Sequence, residues 1–416
     1  MSGADMRNHL RARRNPVSSR GRALPVSPLV ARRHCGVRND YSNGGVDRSD
    51  ASDWRPPAFF RMKSSRPPSL INVAVIGAGA IGLDHLASFK QHPSARVVAL
   101  AEVSPERGRE AADRFNVPEL VTDYRVLLGR DDIHVVSIAL PNYLHAPVAL
   151  AALKAGKHVM LDKPMATNAR DAAKLVAEAK QRKRLLMVGQ NIRFTPEVQT
   201  ARKLVQDGVL GDVYHAKTAW VRRSGIPRIG SWFTQTKFAG GGCTYDIGVH
   251  ALDRCLYLMG EFDAAAVSGQ TYAQFGPRGR GDGSWGKSEI DPKRPFDVDD
   301  LSVALIKLKS GRTVLLEASW AAHQAEPDFN GTQLFGTEAG LVFPPLRLFR
   351  PGRHGYANEL VTLDAPAVNP NRMVHFIDCL LGKAEPFVKP AESLAVQKIL
   401  DAIYRSAKTG REVRLK

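Results

Sequence analysis

The sequence has little cysteine and no long hydrophobic run, and each shortage excludes a class of protein. Its 416 residues include four cysteines, namely Cys35, Cys243, Cys255 and Cys379. None belongs to a CxxC pair, and a chain of this length buries a core without disulfides, so we interpret them as reduced thiols of a cytoplasmic protein with no structural zinc site. The apolar runs are strand-sized and fall well short of the roughly 20 residues that a membrane-spanning helix requires. We therefore predict no membrane span.

The net charge of +18 is unevenly distributed along the chain. Residues 1–61 contain twelve arginines, no lysine and five aspartates, and they lack the hydrophobic periodicity of a folded segment. We expect this leader to be disordered, because it cannot bury enough apolar surface to offset the entropy of ordering. Its Arg-rich, acid-poor beginning is compatible with an organelle transit peptide. We favour the interpretation that translation starts at Met62.

From residue 71 onward, apolar runs alternate with segments of helical period. Nearly continuous runs, as in parallel strands covered on both faces, occupy residues 71–77, 96–102, 133–140, 158–162 and 185–190. This alternation predicts an α/β fold with a doubly wound parallel sheet. We assign residues 70–191 to a Rossmann dinucleotide-binding domain.

The pattern changes after residue 191, where the runs lengthen and polar residues alternate with apolar ones. Such runs, typical of antiparallel strands, occupy residues 213–222, 264–275, 301–308 and 313–322. An amphipathic segment at residues 391–410 predicts a last helix that ends at glycine. We therefore assign residues 192–416 to an α+β domain with an open, mostly antiparallel sheet that binds substrate and partner subunits.

Residues 77–82, GAGAIG, match the GxGxxG fingerprint between a strand and a helix, where the pattern has physical meaning. The first glycine permits the tight turn, the second lets the backbone approach a pyrophosphate, and the third lets the helix pack on the strand. Free N–H groups at the helix start attract the phosphates. We expect the cofactor to contact Gly77, Gly79, Ala80, Ile81 and Gly82.

Glu102 ends the second strand, twenty residues after the fingerprint. A carboxylate at this point accepts hydrogen bonds from both ribose hydroxyls and repels a 2′-phosphate, which favours NAD over NADP. Arg107 and Arg109 lie nearby and leave NADP open.

Four polar residues follow later strands of the same sheet. Asn142 and His145 follow the run at 133–140, and Asp162 and Lys163 follow the run at 158–162. Ligands of such sheets bind outside the carboxyl ends of the strands, so we expect all four residues to surround a nicotinamide. For His145, capping of the next helix is an equal alternative.

The segment Asp162-Lys163-Pro164 resembles the Glu-Lys-Pro signature of the Gfo/Idh/MocA oxidoreductases, with aspartate in the first position. Residues 240–260 are similar to the family's DxGxH segment, and the resemblance extends over residues 70–415. It implies a dehydrogenase that transfers a hydride between NAD(P) and a secondary alcohol or ketone of a sugar, an inositol-like polyol or a sugar derivative. It also implies a homodimer or homotetramer that associates through the C-terminal sheet.

In that family the positions that match Lys163, Asp246 and His250 are catalytic. The spacing of Asp246 and His250 places them on one helix face, where the carboxylate would raise the basicity of the imidazole that removes the hydroxyl proton. Lys163 would donate to the same oxygen. Without the resemblance, a helix cap and a core histidine are the better interpretations of this pair. A metal would need a third ligand, and Asp253 lies at the wrong angle, so we predict none.

Three further residues are weaker candidates for substrate contacts. Arg193 would hold sugar hydroxyls or a carboxylate, with a surface ion pair as the alternative. Trp220 and Arg222 would form an aromatic wall and a polar clamp for a sugar ring. Trp320 is interpreted as part of the core or of a subunit interface.

Two other functions remain open from the sequence. One is an enzyme that retains NAD and oxidises a sugar transiently to allow elimination or glycosidic hydrolysis. The other is a non-catalytic, NAD-sensing regulator, against which the intact trio of Lys163, Asp246 and His250 argues. We predict no nucleic-acid partner, because the arginines of residues 1–61 belong to no recognition motif.

Overall fold

The fold is that of a computed structural model, which describes residues 70–285, 288–364 and 368–415. The expectation for residues 1–61 lies outside the described residues. Two sheets with helices packed on them make up the described chain. None of its helices is long and apolar enough to cross a membrane.

The first sheet has six parallel strands. They are β1 (Ile71–Ile76), β2 (Ala95–Ala101), β3 (Leu120–Val121), β4 (Val135–Ile138), β5 (His158–Leu161) and β6 (Leu186–Val188). Their order, β3-β2-β1-β4-β5-β6, is that of a Rossmann dinucleotide-binding sheet, which confirms the predicted doubly wound fold. Strand β3 has only two residues, too few to give an apolar run in the sequence.

Five helices follow the strands of this sheet in chain order. They are α1 (Ala80–Phe89), α2 (Pro105–Phe115), α3 (Arg125–Leu128), α4 (Asn142–Lys154) and α5 (Ala169–Arg182). Local chemistry sets several of their ends. The side chain of Ser104 accepts a hydrogen bond from the first turn of α2, and that of Asn168 does so for α5. Both helices end at a residue with positive φ, Asn116 and Lys183.

The second sheet has nine strands. They are β7 (Val213–Arg222), β8 (Ala264–Tyr272), β9 (Leu301–Leu308), β10 (Thr313–Ser319), β11 (Asp328–Gly336), β12 (Gly340–Phe343), β13 (Arg347–Gly352), β14 (Gly355–Leu360) and β15 (Val413–Arg414). Their order is β14-β13-β12-β11-β7-β10-β9-β8-β15, and β7 and β10 are parallel while the other neighbouring pairs are antiparallel. The predicted open, mostly antiparallel sheet is therefore confirmed.

The remaining helices are α6 (Pro196–Gln206), α7 (Thr236–Ala239), α8 (Val249–Met259), α9 (Arg372–Leu380) and α10 (Pro390–Thr409). Helices α8 and α10 supply apolar side chains to the core on one face of the second sheet. A π-helical turn, Thr244–Gly248, leads directly into α8. Gly410, with a φ of 64°, ends α10, as the sequence predicts.

Helix α9 departs from the domain assignment made from the sequence. It falls within residues 192–416, yet Met373, Phe376 and Ile377 pack into the core formed by β1 and α1 of the first sheet. The sequence could not show this, because the amphipathic pattern of a helix does not indicate which sheet the helix covers. The chain therefore returns to the Rossmann sheet after it has built the second one.

Arg193 lies in the segment that connects the two sheets, and its expected role as a substrate contact is wrong. Its side chain is 0% exposed. Nε and Nη2 donate to the two carboxylate oxygens of Asp253 at 2.7 and 2.6 Å, and Nη1 donates to Glu392. The ion pair that the sequence left as the alternative is thus present, buried rather than at the surface.

This ion pair leads to a prediction about stability. Arg193→Met should lower the free energy of unfolding by about 3–5 kcal/mol, because it leaves the Asp253 carboxylate buried without its partner. The measurement is urea denaturation followed by circular dichroism. The double variant Arg193→Met/Asp253→Leu should recover part of the loss, since it removes both charges. A single variant as stable as the unmodified protein would contradict this structural role.

Candidate active site

The glycine-rich turn between β1 and α1 leaves open space where a pyrophosphate needs it. Gly77 has a φ of 100°, and a Cβ at this position would lie 2.3 Å from the Ala139 carbonyl oxygen. A Cβ at Gly82 would lie 2.0 Å from the Gly77 carbonyl oxygen, so the helix packs tightly on the turn. At Gly79, by contrast, no described atom lies within 4 Å of an added Cβ. This arrangement fits a bound dinucleotide.

The first turn of α1 adds donors for an anion. None of the described side chains caps this helix. Ala80 is exposed, and Ile81 is 44% exposed. The first N–H groups of a helix have no partner within the helix, so those of α1 are available to a phosphate.

Glu102 is bound on both of its carboxylate oxygens. Oε2 accepts from the Ala78 N–H at 2.8 Å, while Oε1 accepts from the Ser104 N–H at 2.9 Å and from Arg107 Nη2 at 2.6 Å. Burial alone would raise the pKa of Glu102, but the hydrogen bonds from Arg107 and the backbone outweigh it and lower that pKa. A negative charge therefore stands at the end of β2, and it holds Arg107, the cation that would otherwise favour a 2′-phosphate.

Asn142 and His145 both contact the backbone of the protein. Asn142 Nδ2 donates to the Ala239 carbonyl at 2.8 Å. His145 is fully buried, and its ring nitrogens lie 2.7 Å from the carbonyl oxygens of Leu140 and Pro164. Both ring nitrogens of His145 thus face backbone carbonyls, which places the ring between the end of β4 and the segment that follows Lys163. No described side chain caps α4, so the helix-capping alternative is wrong, while the cofactor contact of His145 stays a prediction.

Asp162 lies beside an arginine that sequence reasoning missed. A Cβ on Gly189 would be 3.2 Å from Asp162 Oδ1 and 3.4 Å from Arg372 Nε, so both side chains lie against this glycine. Arg372 begins α9 and also donates to Asp84 at 2.8 Å. No motif surrounds Arg372, and only the return of α9 to the first sheet brings it here.

Lys163 and Asp246 meet although one follows β5 of the first sheet and the other lies on the π-helical turn before α8. Lys163 Nζ donates to the Asp246 carboxylate Oδ1 at 2.9 Å and to its backbone oxygen at 2.8 Å. The other carboxylate oxygen accepts from the indole N–H of Trp320 at 2.9 Å. Trp320 is fully buried, as the sequence suggests, but its hydrogen bond to the site was not expected.

His250 follows Asp246 by one helical turn, and the two make no hydrogen bond among the described contacts. His250 is 8% exposed, its Nδ1 has no partner among the described residues, and its ring lies 5.7 Å from that of Trp220. Burial, followed by the positive charge of Lys163, lowers the pKa of His250 well below its usual value. The expectation that Asp246 raises the basicity of this imidazole is therefore wrong, because Lys163 and Trp320 already occupy the carboxylate.

A buried aspartate holds the π-helical turn that carries Asp246. Asp299 accepts from the N–H of Gly242 at 2.7 Å, and from the N–H and hydroxyl of Thr244 at 3.0 and 2.7 Å. A Cβ on Gly242 would lie 1.9 Å from the Asp299 carbonyl oxygen, so only glycine allows this approach. Asp299 was missed, although two adjacent aspartates ahead of an apolar strand are a signal that could have found it. Single π-helical turns like the one that carries Asp246 are frequent at functional sites.

Trp220 and Arg222, both on β7, lie beside His250 of α8. The guanidinium carbon of Arg222 is 4.7 Å from the centroid of the Trp220 ring. Both side chains are held by Asp328, which accepts from Trp220 Nε1 at 2.9 Å and lies 3.4 Å from Arg222 Nε. Their role as a wall and clamp for a sugar remains a prediction. Within the described ranges, no three His, Cys, Asp or Glu side chains cluster as a metal site.

Comparison with family models gives two matches along the chain. Residues 71–190 match the model of the Gfo/Idh/MocA oxidoreductase family with an NAD-binding Rossmann fold. Residues 198–342 match the C-terminal domain of the same family.

Curated proteins and solved structures are also similar to this chain. A levoglucosan dehydrogenase from Pseudarthrobacter phenanthrenivorans is 33% identical over 287 residues, which cover 66% of this chain and 73% of the relative. D-glucoside 3-dehydrogenase of Escherichia coli K12 is 29% identical over 360 residues, 85% of this chain and all of the relative. The solved complex of a levoglucosan dehydrogenase with NADH has a TM-score of 0.73 at 27% identity, covering 83% of this chain and 99% of that one.

The surroundings of Glu102 lead to a prediction about cofactor choice. NAD should bind at least about tenfold more tightly than NADP, because about 1.4 kcal/mol of repulsion between Glu102 and a 2′-phosphate suffices for that ratio. Glu102→Ala should narrow the ratio, since it removes the carboxylate and releases Arg107. Dissociation constants from isothermal titration calorimetry test this, with Glu102→Ala/Arg107→Met as the control that should lose the gain in NADP affinity. Equal affinities in the unmodified protein would overturn the assignment.

Proposed function

The chain belongs to the Gfo/Idh/MocA oxidoreductase family, and from this premise we propose that it is an NAD-dependent dehydrogenase acting on a secondary alcohol or ketone of a sugar, polyol or sugar derivative. The observation that carries the proposal is the meeting of Lys163 with Asp246, next to His250, at the carboxyl ends of the Rossmann strands. Two relatives named as dehydrogenases of levoglucosan and of D-glucosides support a sugar as substrate.

His250 is the proposed base. Oxidation of a carbinol removes a hydride from carbon and a proton from oxygen, and NAD, when bound, supplies the hydride acceptor. His250 suits the proton transfer because burial and Lys163 lower its pKa, so the ring is neutral at physiological pH.

Lys163 is the proposed stabiliser of the substrate oxygen. Two of its three N–H donors go to Asp246, which leaves one for an alkoxide-like oxygen. Asp246 acts as a positioning residue, because its carboxylate binds Lys163 on one oxygen and the Trp320 indole on the other. A chain of contacts thus fixes the ammonium group before substrate arrives.

The proposed roles predict the behaviour of single variants. His250→Ala and Lys163→Met should each lower turnover by roughly 10²- to 10⁴-fold, while NAD affinity changes by no more than a few fold. Trp320→Phe should lower turnover less and leave NAD affinity unchanged, because it removes the donor that orients Asp246. Steady-state rates of NADH formation on a panel of sugars and polyols test these effects. Near-normal turnover of His250→Ala would show that the base lies elsewhere.

The electrostatics of the site add a pH prediction. A base with a lowered pKa is already neutral at mild acidity, so the acid limb of kcat/KM should lie below pH 6.5, the usual midpoint for histidine. Lys163→Met removes a positive charge and should raise the pKa of His250. NMR titration of the His250 ring, assigned by comparison with His250→Gln, measures this shift without enzyme activity. A pKa that stays unchanged or falls would contradict the coupling.

We also propose that the chain forms a homodimer or homotetramer through the open face of the second sheet. Helices cover one face of this sheet, whereas the other exposes a row of apolar side chains. Val303, Leu305, Leu315 and Phe329 are 36–49% exposed and line the same shallow surface. Exposed apolar patches of this kind mark protein contacts, and a self-complementary face suits a second copy.

Charge placed on this open face should separate the subunits. Leu305→Glu and Leu315→Glu are each expected to give a species of smaller mass than the unmodified protein, because an interface would have to bury an unpaired carboxylate. Size-exclusion chromatography with light scattering measures the mass. Val126→Glu, at an exposed apolar residue of α3, is the matched control and should leave the mass unchanged. An unmodified protein that is monomeric would refute the proposal.

We also propose that the protein is located in the cytoplasm. Cys243, Cys255 and Cys379 are buried free thiols, as expected for a protein of the reducing cytoplasm. Burial raises the pKa of Cys255 to about 12, so this thiol is unreactive.

A further inference from the structure

Arg254 is a buried arginine with an incomplete set of partners. It lies on α8, one turn beyond His250, and is 1% exposed. Its guanidinium donates to Thr332 Oγ1 at 2.8 Å, to Asn330 Oδ1 at 2.7 Å, and to the Gly331 carbonyl and Thr218 Oγ1 at 3.0 and 3.4 Å. These contacts use at most four of its five N–H donors, and every acceptor is neutral.

The positive charge of Arg254 has no counter-charge within ion-pair distance among the described residues. Its neighbour Asp253 is committed to Arg193, which itself is held by two carboxylates. Burial without such a partner lowers the pKa of Arg254 to about 10, which still leaves the group protonated at neutral pH. Buried charges are ordinarily paired, so the missing partner points to an anion from outside the chain.

A cavity of about 670 Å³ adjoins this guanidinium. The polar part of its lining comes from Arg254, Asn330, Thr195 and Glu197, while Ile192, Leu346 and Leu363 are among the apolar part. Leu363 is 42% exposed, so the cavity has an apolar border open to solvent. Its volume is in the range of small-molecule pockets, which combine apolar walls with a few polar groups.

We propose that this cavity binds a small molecule with one carboxylate on an apolar body, and that Arg254 receives the carboxylate. Arg254 suits a carboxylate because none of its described hydrogen-bond partners carries a negative charge. Glu197 also lines the cavity, and its carboxylate disfavours ligands of higher negative charge, such as phosphate. Lys163, Asp246 and His250 do not line it, so the site is separate from the proposed catalytic groups.

Calorimetric titration of the full chain with benzoate, and with benzamide as its neutral analogue, tests the proposal at constant ionic strength. Benzoate should bind at one site, at least about tenfold more tightly than benzamide, since a charged hydrogen-bonded pair contributes about 1.5–3 kcal/mol. Arg254→Met should lower benzoate affinity by a similar factor. Arg312→Met removes an arginine at an exposed ion pair and should leave the affinity unchanged. Benzoate that binds no better than benzamide, or binds Arg254→Met normally, would overturn the proposal.

Three further measurements extend the test: two make it independent of folding and of the proposed catalysis, and one checks the charge of the ligand. Leu363→Trp should narrow the opening and weaken benzoate binding even if Arg254→Met fails to fold, so unchanged binding would refute the location. Lys163→Met should bind benzoate normally, and a loss there would place the anion in the catalytic site instead. Inorganic phosphate should not compete with benzoate, and effective competition would overturn the preference for a single negative charge.

Discussion

The contact between Lys163 and Asp246 is the interaction on which the site depends. One partner follows a strand of the Rossmann sheet, and the other lies on the turn that begins α8 against the second sheet. Neither sheet alone holds the ammonium group in place, because Asp246 offers two acceptors to the lysine and takes a third contact from Trp320. The orientation of the lysine therefore depends on both domains together.

Electrostatic interactions give Lys163, Asp246 and His250 different roles. A carboxylate next to an imidazole would strengthen it as a base, but here the carboxylate is bound to a lysine. The strongest charge effect on His250 therefore comes from the positive Lys163. Together with burial, it lowers the pKa of the imidazole and keeps the ring neutral. A neutral base beside a fixed cation suits a reaction in which a hydroxyl loses its proton while its oxygen gains negative character.

The sequence predicted those parts of the molecule that depend on local pattern. Continuous apolar runs identified the Rossmann strands, and the glycine fingerprint with Glu102 identified the cofactor turn, because strand, turn and helix are contiguous there. The sequence did not predict contacts between side chains of distant segments. Arg372 lies against Gly189, as Asp162 does, only because α9 returns to the first sheet. The two backbone carbonyls that face the ring nitrogens of His145 likewise follow from the tertiary structure and not from a motif.

Two arginines illustrate why burial and pairing decide the role of a charge that the sequence leaves open. Arg193 and Arg254 are both buried and both contact α8 or belong to it. The first is neutralised by Asp253 and Glu392, so its charge is already balanced and it serves the fold. The second has only neutral acceptors and adjoins a cavity, so its charge is balanced only when an anion arrives. The sequence thus suggested a substrate contact for Arg193, which has a structural role, whereas no motif marks Arg254, which we propose binds a ligand.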